Sequence, residues 1–180
     1  MGQLFNRKLV EVFGEISSVL SSDLDSQFDE ISTMFANSSN CCIFGLGAGR
    51  MGYSLQAFIM RLSHMGHQAY MLGDTTLPRV SAGDIVIVNS SSGETKTIVL
   101  LAKLAKAHGA KLVVVTTKAT SALGKMADIV VKIETTKSKQ PMKTVYEQAT
   151  YILFDILVSY LIDALEIDLE FMSSNHSILE

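Results

Sequence analysis

Asp84-Ile85-Val86-Ile87-Val88-Asn89-Ser90-Ser91-Ser92-Gly93-Glu94-Thr95 decides how this chain of 180 residues folds. Its first half is an unbroken apolar run, the pattern of a strand buried on both faces of a parallel sheet. Residues 96–108 follow, with Val99, Leu100, Ala102, Leu104 and Ala107 at helical spacing. A strand, a hydroxyl-rich turn and a helix in that order can hold an anion. The helix start offers backbone N–H groups and the positive end of its dipole. Within the candidate phosphate-binding turn, Ser90, Ser91, Ser92, Gly93, Glu94 and Thr95, the hydroxyls of Ser90, Ser92 and Thr95 are donors, and Gly93 allows close backbone approach. The plainer reading is an ordinary helix cap, for which one hydroxyl suffices.

Working outward, a second strand–turn–helix precedes the first. Residues 40–44 read as a short strand, followed by Gly45-Leu46-Gly47-Ala48-Gly49-Arg50-Met51-Gly52 and an amphipathic helix through residue 65. Gly47, Gly49 and Gly52 match G-x-G-x-x-G, the dinucleotide fingerprint, and Asp74 falls near where a ribose-binding acid would stand. A tight turn that only packs helix on sheet uses the same glycines. Further strands are expected at 68–72, 111–116 and 128–133, with a short helix capped by Ser121. Alternating strands and helices imply an α/β fold, a parallel sheet with helices on both faces and ligands at the strands' carboxyl ends.

Two helices are expected before the first strand, at 4–20 and from about 24 to 35, the second capped by Ser22 or Asp23. They carry no evident chemistry and read as packing elements. After a polar loop at 135–143, residues 144–165 read as a long helix with Val145, Ala149, Ile152, Leu153, Ile156, Leu157, Tyr160 and Leu161 inward. Glu147 falls in its first turn, where the dipole favours a carboxylate. A last helical turn and an extended end carry His176. The expected organisation is one domain over 1–180: a helical pair at 1–38, sheet core at 39–134, and C-terminal helix and tail at 135–180.

Hydrophobic residues make up 48% of the chain and charged residues 18%, so a full core can be buried. Nothing in the net charge of -3 suggests nucleic acid as the main partner, and none is expected. Residues 1–20 are interrupted by Asn6, Arg7, Lys8, Glu11 and Glu15, against a secretory signal. The longest apolar candidate, 150–165, is broken by Asp155 and Asp163, against a membrane span. Cys41 and Cys42 are adjacent on an expected strand and so face opposite ways, against a disulfide or shared metal site. Buried free thiols suit a reducing compartment, and the protein is expected in the cytoplasm.

Taken in order, several segments resemble the sugar isomerase (SIS) domain, and within it the 6-phospho-3-hexuloisomerases. They are Gly47-Ala48-Gly49-Arg50-Met51-Gly52, Phe58-Ile59-Met60-Arg61-Leu62, Gly73-Asp74-Thr75-Thr76-Leu77-Pro78, Ser90 to Thr95, Gln140-Pro141-Met142 leading to Tyr146-Glu147-Gln148, and His176 to Glu180. The resemblance implies a flavodoxin-like αβα sandwich with five parallel strands, a homotetramer with active sites near subunit interfaces, and no metal or cofactor. It implies interconversion of 3-hexulose 6-phosphate and fructose 6-phosphate. Phosphate would lie in the serine turn, with Gly47, Ala48, Gly49, Arg50 and Met51 also lining the substrate site. Glu147 would be the base, and His176 would reach an active site, its own or a neighbour's. This chain departs from the family pattern at Met51, where serine is usual, at Ser91, Lys143 and Ile178.

Such a reaction needs a proton taken from C2 and one delivered to C3, which one carboxylate over that face can do. Backbone N–H groups at Gly47 to Gly49 suit the enediolate oxygen, and His176, titrating near neutrality, suits transfer between O2 and O3. Three other functions fit parts of the pattern. They are another aldose–ketose phosphate isomerase such as an arabinose 5-phosphate isomerase, a non-catalytic sugar-phosphate sensor, and a dinucleotide-binding protein.

Overall fold

The computed structural model describes residues 2–135 and 137–178. Met1, Thr136, and Leu179 and Glu180 of the tail motif lie outside the described residues. Helices α1 (Gly2–Val19) and α2 (Asp25–Ala36) precede strand β1 (Cys42–Gly47). Then come α3 (Arg50–His64), β2 (Gln68–Met71), β3 (Ile85–Asn89), α4 (Lys96–Ala107), β4 (Lys111–Thr116), a 3-10 turn at Gly124–Met126 and β5 (Ile129–Lys132). Helices α5 (Thr144–Ala164) and α6 (Leu169–Ser174) complete the described elements. All strand pairs are parallel, in the order β2-β1-β3-β4-β5, as the flavodoxin-like expectation requires.

Successive strand residues point to opposite faces, and the two cores divide accordingly. Ile43, Ile85, Ile87, Val113, Val115, Ile129 and Val131 face α1, α2, α3 and α5. Phe44, Leu46, Val86, Val88, Leu112 and Val114 face α4. Four helices thus crowd one side of the sheet and α4 covers the other. β3 is buried at every position, which is why its sequence shows no alternation.

Several expectations are corrected in detail. The N-cap of α2 is Leu24; Asp23 Oδ1 instead accepts the N–H of Asp25 at 3.1 Å. β1 starts at Cys42 and runs on to Gly47, and Cys41 and Cys42 are free thiols but only half-buried. The inward face of α4 is Ile98, Ala102 and Ala105, while Leu100 and Leu104 are exposed. Likewise α1 buries Ile16 and Val19 and leaves Leu4, Phe5, Leu9, Val10 and Phe13 outside. Ile156 of α5 is exposed too. By length and composition alone α5 is apolar enough to cross a membrane, but half of it is buried against this domain. It packs along α3 and α1 as a core helix.

Candidate active site

The strand order reverses between β1 and β3, so their carboxyl ends open a crevice at the switch point. Gly47, ending β1, is in register with Asn89, ending β3, which sets the glycine turn beside the serine turn. The glycine turn is tight because a Cβ on Gly47 would come within 2.8 Å of the Gly52 Cα. That contact brings the start of α3 onto the strand end. Ala48 and Gly49 complete the turn, and the Gly49 carbonyl accepts the N–H of Gly52 at 2.9 Å. Arg50 and Met51 then open α3.

The serine turn is held from below. Thr116 and Thr117 hydroxyls donate to the Ser91 carbonyl at 3.1 and 2.8 Å, and Ser90 N–H donates to the Val115 carbonyl at 3.1 Å. Ser90 and Ser91 are buried. The Thr95 hydroxyl does not cap α4 but lies 3.4 Å from the Ser90 hydroxyl, so no side chain caps the start of α4. The cap reading of these hydroxyls therefore does not hold. Glu94 turns away and accepts the N–H of Ala122 at 3.0 Å, so its charge serves the neighbouring loop rather than the crevice. Ser92 is exposed and accepts the Glu94 N–H at 3.2 Å.

Beneath both turns lies a polar network absent from the sequence reading. Asn89, 1% exposed, directs Nδ2 at the Met51 carbonyl (3.1 Å), Ser54 Oγ (2.9 Å) and Thr150 Oγ1 (3.2 Å). The Tyr146 hydroxyl lies 2.8 Å from Asn89 Oδ1 and 3.0 Å from the Val115 carbonyl. Burial pushes the Tyr146 phenol well above the ordinary tyrosine value, so it keeps its proton and donates. The network ties β3, β4, α3 and α5 together. Leaving one such buried group unpaired costs about 1–3 kcal/mol, which makes these contacts a rigid floor. The available signal was polar residues on otherwise apolar faces: Asn89 ending a buried strand, Ser54 and Thr150 on inward helix positions.

Glu147 stands in the first turn of α5, as expected, and its carboxylate accepts a short hydrogen bond from Arg50 Nε. The Glu147 side chain is 14% exposed and that of Arg50 63%, so the guanidinium screens the carboxylate from solvent. Both line a cleft of about 310 Å³ with Tyr53, Ser54, Gln148 and Tyr151. Met51, next to Arg50 in the chain, contacts the serine turn: its thioether accepts the Ser91 N–H at 3.4 Å. A thioether is a weak acceptor, so the loop N–H is held without a strong partner.

His176 is placed elsewhere. Its ring lies 5.2 Å from that of His64, at the carboxyl end of α3, beside α6. Arg50 and His64 stand at opposite ends of the 15-residue α3, about 21 Å apart at the helical rise. One subunit therefore does not bring His176 to Glu147. Asp74 is engaged locally, its Oδ2 accepting the Met71 N–H at 2.8 Å as a turn at the end of β2. Among the described residues no group of three or more His, Cys, Asp or Glu side chains is placed to hold a metal ion.

The sequence model of the SIS domain matches residues 43–160, from the first strand through most of α5. The chain belongs to the SIS domain family. This SIS domain is 30% identical to the 3-hexulose-6-phosphate isomerase of Bacillus subtilis, over 96% of this chain and 97% of that one. It is 36% identical to the 3-hexulose-6-phosphate isomerase of Mycobacterium gastri, over 77% and 73% of the two chains. A solved structure from Methanococcus jannaschii, described as inferring a 3-hexulose-6-phosphate isomerase function, superposes with a TM-score of 0.84. That alignment has 27% identity and covers 97% of this SIS domain and 99% of that chain.

Proposed function

We propose that this SIS domain is a sugar-phosphate isomerase that interconverts 3-hexulose 6-phosphate and fructose 6-phosphate. The observation that carries the reading is the Arg50–Glu147 pair, a sheltered carboxylate in the cleft that begins where the glycine turn enters α3, the glycine turn itself lying next to the serine turn at the switch point. The names of its relatives support the same substrate. In this reading phosphate is held by N–H groups and hydroxyls of residues 90–95 at the start of α4. In the direction of fructose 6-phosphate, Glu147 removes the C2 proton, the C2–H electron pair becomes the C2=C3 bond of a cis-enediolate and the carbonyl π pair moves onto O3; a proton then passes from O2 to O3, C2=O forms, and Glu147 returns its proton to C3. Backbone N–H groups at residues 47–49 stabilise the enediolate oxygen. Arg50 keeps the carboxylate aimed. The half-buried thiols Cys41 and Cys42 fit a cytoplasmic enzyme.

Fructose 6-phosphate at saturating concentration should raise the melting temperature, while fructose should not, since a ligand bound only to the native state stabilises it. Equal shifts with both sugars would remove the phosphate seat. Turnover of 3-hexulose 6-phosphate, read by coupling fructose 6-phosphate to phosphoglucose isomerase and a dehydrogenase, tests the substrate. Faster conversion of arabinose 5-phosphate to its ketose phosphate, followed directly by NMR, would replace it.

The exposed stripe Leu4, Phe5, Leu9, Val10 and Phe13 of α1, with Leu100 and Leu104 of α4, forms two apolar faces on opposite sides of the sheet. Apolar patches of this kind mark association sites. The reading includes a homotetramer, in which His176 serves the site of a neighbouring subunit. Sedimentation at micromolar concentration should show a tetramer. A monomer with full activity would contradict both the assembly and any role for His176.

A further inference from the structure

The N-terminal helix reads from sequence as packing alone, yet one of its side chains reaches the loop that leads into α5. Glu15 Oε2 accepts the Ser138 hydroxyl at 2.7 Å and the Gln140 amide at 3.1 Å, and its Oε1 accepts the Lys139 N–H at 2.8 Å. Ser138 Oγ in turn accepts the Gln140 N–H at 2.9 Å. Three consecutive residues thus hang from one carboxylate more than a hundred positions away. These donors, the Lys139 N–H foremost, hold the Glu15 carboxyl below its ordinary pKa.

The turn between this loop and α5 needs such an anchor. Met142 adopts φ 57, a left-handed conformation that a side chain disfavours, and its own side chain is 95% exposed and gains nothing by packing. Strained residues of this kind persist where the surroundings over-determine them. Lys143, at the N-cap of α5, makes no side-chain cap. Within the helix this start is held by the Tyr146 hydroxyl on Asn89 and Val115 and by the Arg50–Glu147 pair, while upstream of it the ties are the Pro141 carbonyl, which accepts the Thr144 hydroxyl at 2.7 Å, and the Glu15 strap. Glu147 lies within the next turn of helix.

We propose that Glu15 is a positioning residue for the isomerase site: it straps residues 138–140 to α1 and thereby fixes the first turn of α5, which carries Glu147. The inference rests on the isomerase reading. In the full chain, Glu15→Ala should raise hydrogen exchange across residues 139–148 while β3 stays protected. Its kcat should fall about tenfold, with KM for fructose 6-phosphate within about twofold, because small misplacement of a reacting group lowers turnover more than binding. Glu15→Gln keeps one acceptor oxygen and should recover part of the loss. Unchanged exchange in 139–148 would overturn the strap. Faster exchange there with kcat intact would overturn the coupling. Loss of protection throughout β3, with no recovery in Glu15→Gln, would reduce Glu15 to a purely structural residue and also overturn it. A wild-type chain without turnover removes the isomerase reading instead, and exchange at residues 144–148 then decides the strap alone.

Discussion

Gly93→Ala should destroy sugar-phosphate binding and destabilise the fold together. Gly93 has φ +65, and a Cβ there would come within 2.5 Å of Ser121 Cβ and closer still to Ser121 Oγ. Left-handed backbone for alanine costs about 1–2 kcal/mol, and forcing an atom into packed surroundings about 1–3 kcal/mol more. Ser121 has little freedom to yield, since it is fully buried and its Oγ accepts the Gly124 N–H at 3.2 Å. The Gly93 carbonyl also accepts the Leu123 N–H at 3.1 Å, so the overlap must move the turn itself. Displacing two charge-assisted phosphate contacts at about 1.5–3 kcal/mol each lowers affinity by about two powers of ten or more. Guanidinium unfolding and calorimetric titration with fructose 6-phosphate, performed where circular dichroism shows the variant folded, measure the two effects separately. Binding within twofold of wild type would place the phosphate somewhere other than the serine turn.

The sheet and both the glycine-rich and serine-rich turns are legible from local pattern. β3 and β4 are continuous apolar runs because both faces are covered, and each glycine- or serine-rich break falls where a strand hands over to a helix. Helix faces are less legible. In α1 and α4 apolar residues occupy more of the circumference than the sheet covers, so periodicity finds the helix but not its buried side. The placement of the proposed site is legible where candidate residues sit in one stretch, as at residues 90–95 at the end of β3, and for Glu147 through the helix start. What escapes are contacts between distant stretches. Asn89 meets Ser54 and Thr150, and Glu15 meets Ser138, only because the topology stacks β3, α3, α5 and α1. His176 shows the same limit: position in the chain says nothing of which end of α3 the tail folds against, and α6 takes it to His64.

Glu147→Gln should bind fructose 6-phosphate nearly as well as wild type and lose turnover by roughly two to four powers of ten, the usual worth of a general base. Glutamine keeps the length of the side chain and one carbonyl oxygen to accept from Arg50 Nε, so the floor of the cleft, Asn89 with Ser54 and Thr150, has no reason to move. It removes the one thing the mechanism needs, an oxygen able to take a proton from carbon. A carboxylate whose service was only to the helix dipole would contribute at most about 1 kcal/mol, and its loss would appear in stability rather than in rate. Arg50→Met separates the two further. It frees the carboxylate without removing it, so turnover should fall less than in Glu147→Gln. The direct readout is solvent deuterium entering C2 or C3 during incubation with fructose 6-phosphate, followed by proton NMR. Wild-type enzyme should wash the label in, and Glu147→Gln should not. Deuterium incorporation that continues at the wild-type rate in Glu147→Gln would mean that another group moves the proton, whatever the overall rate had done.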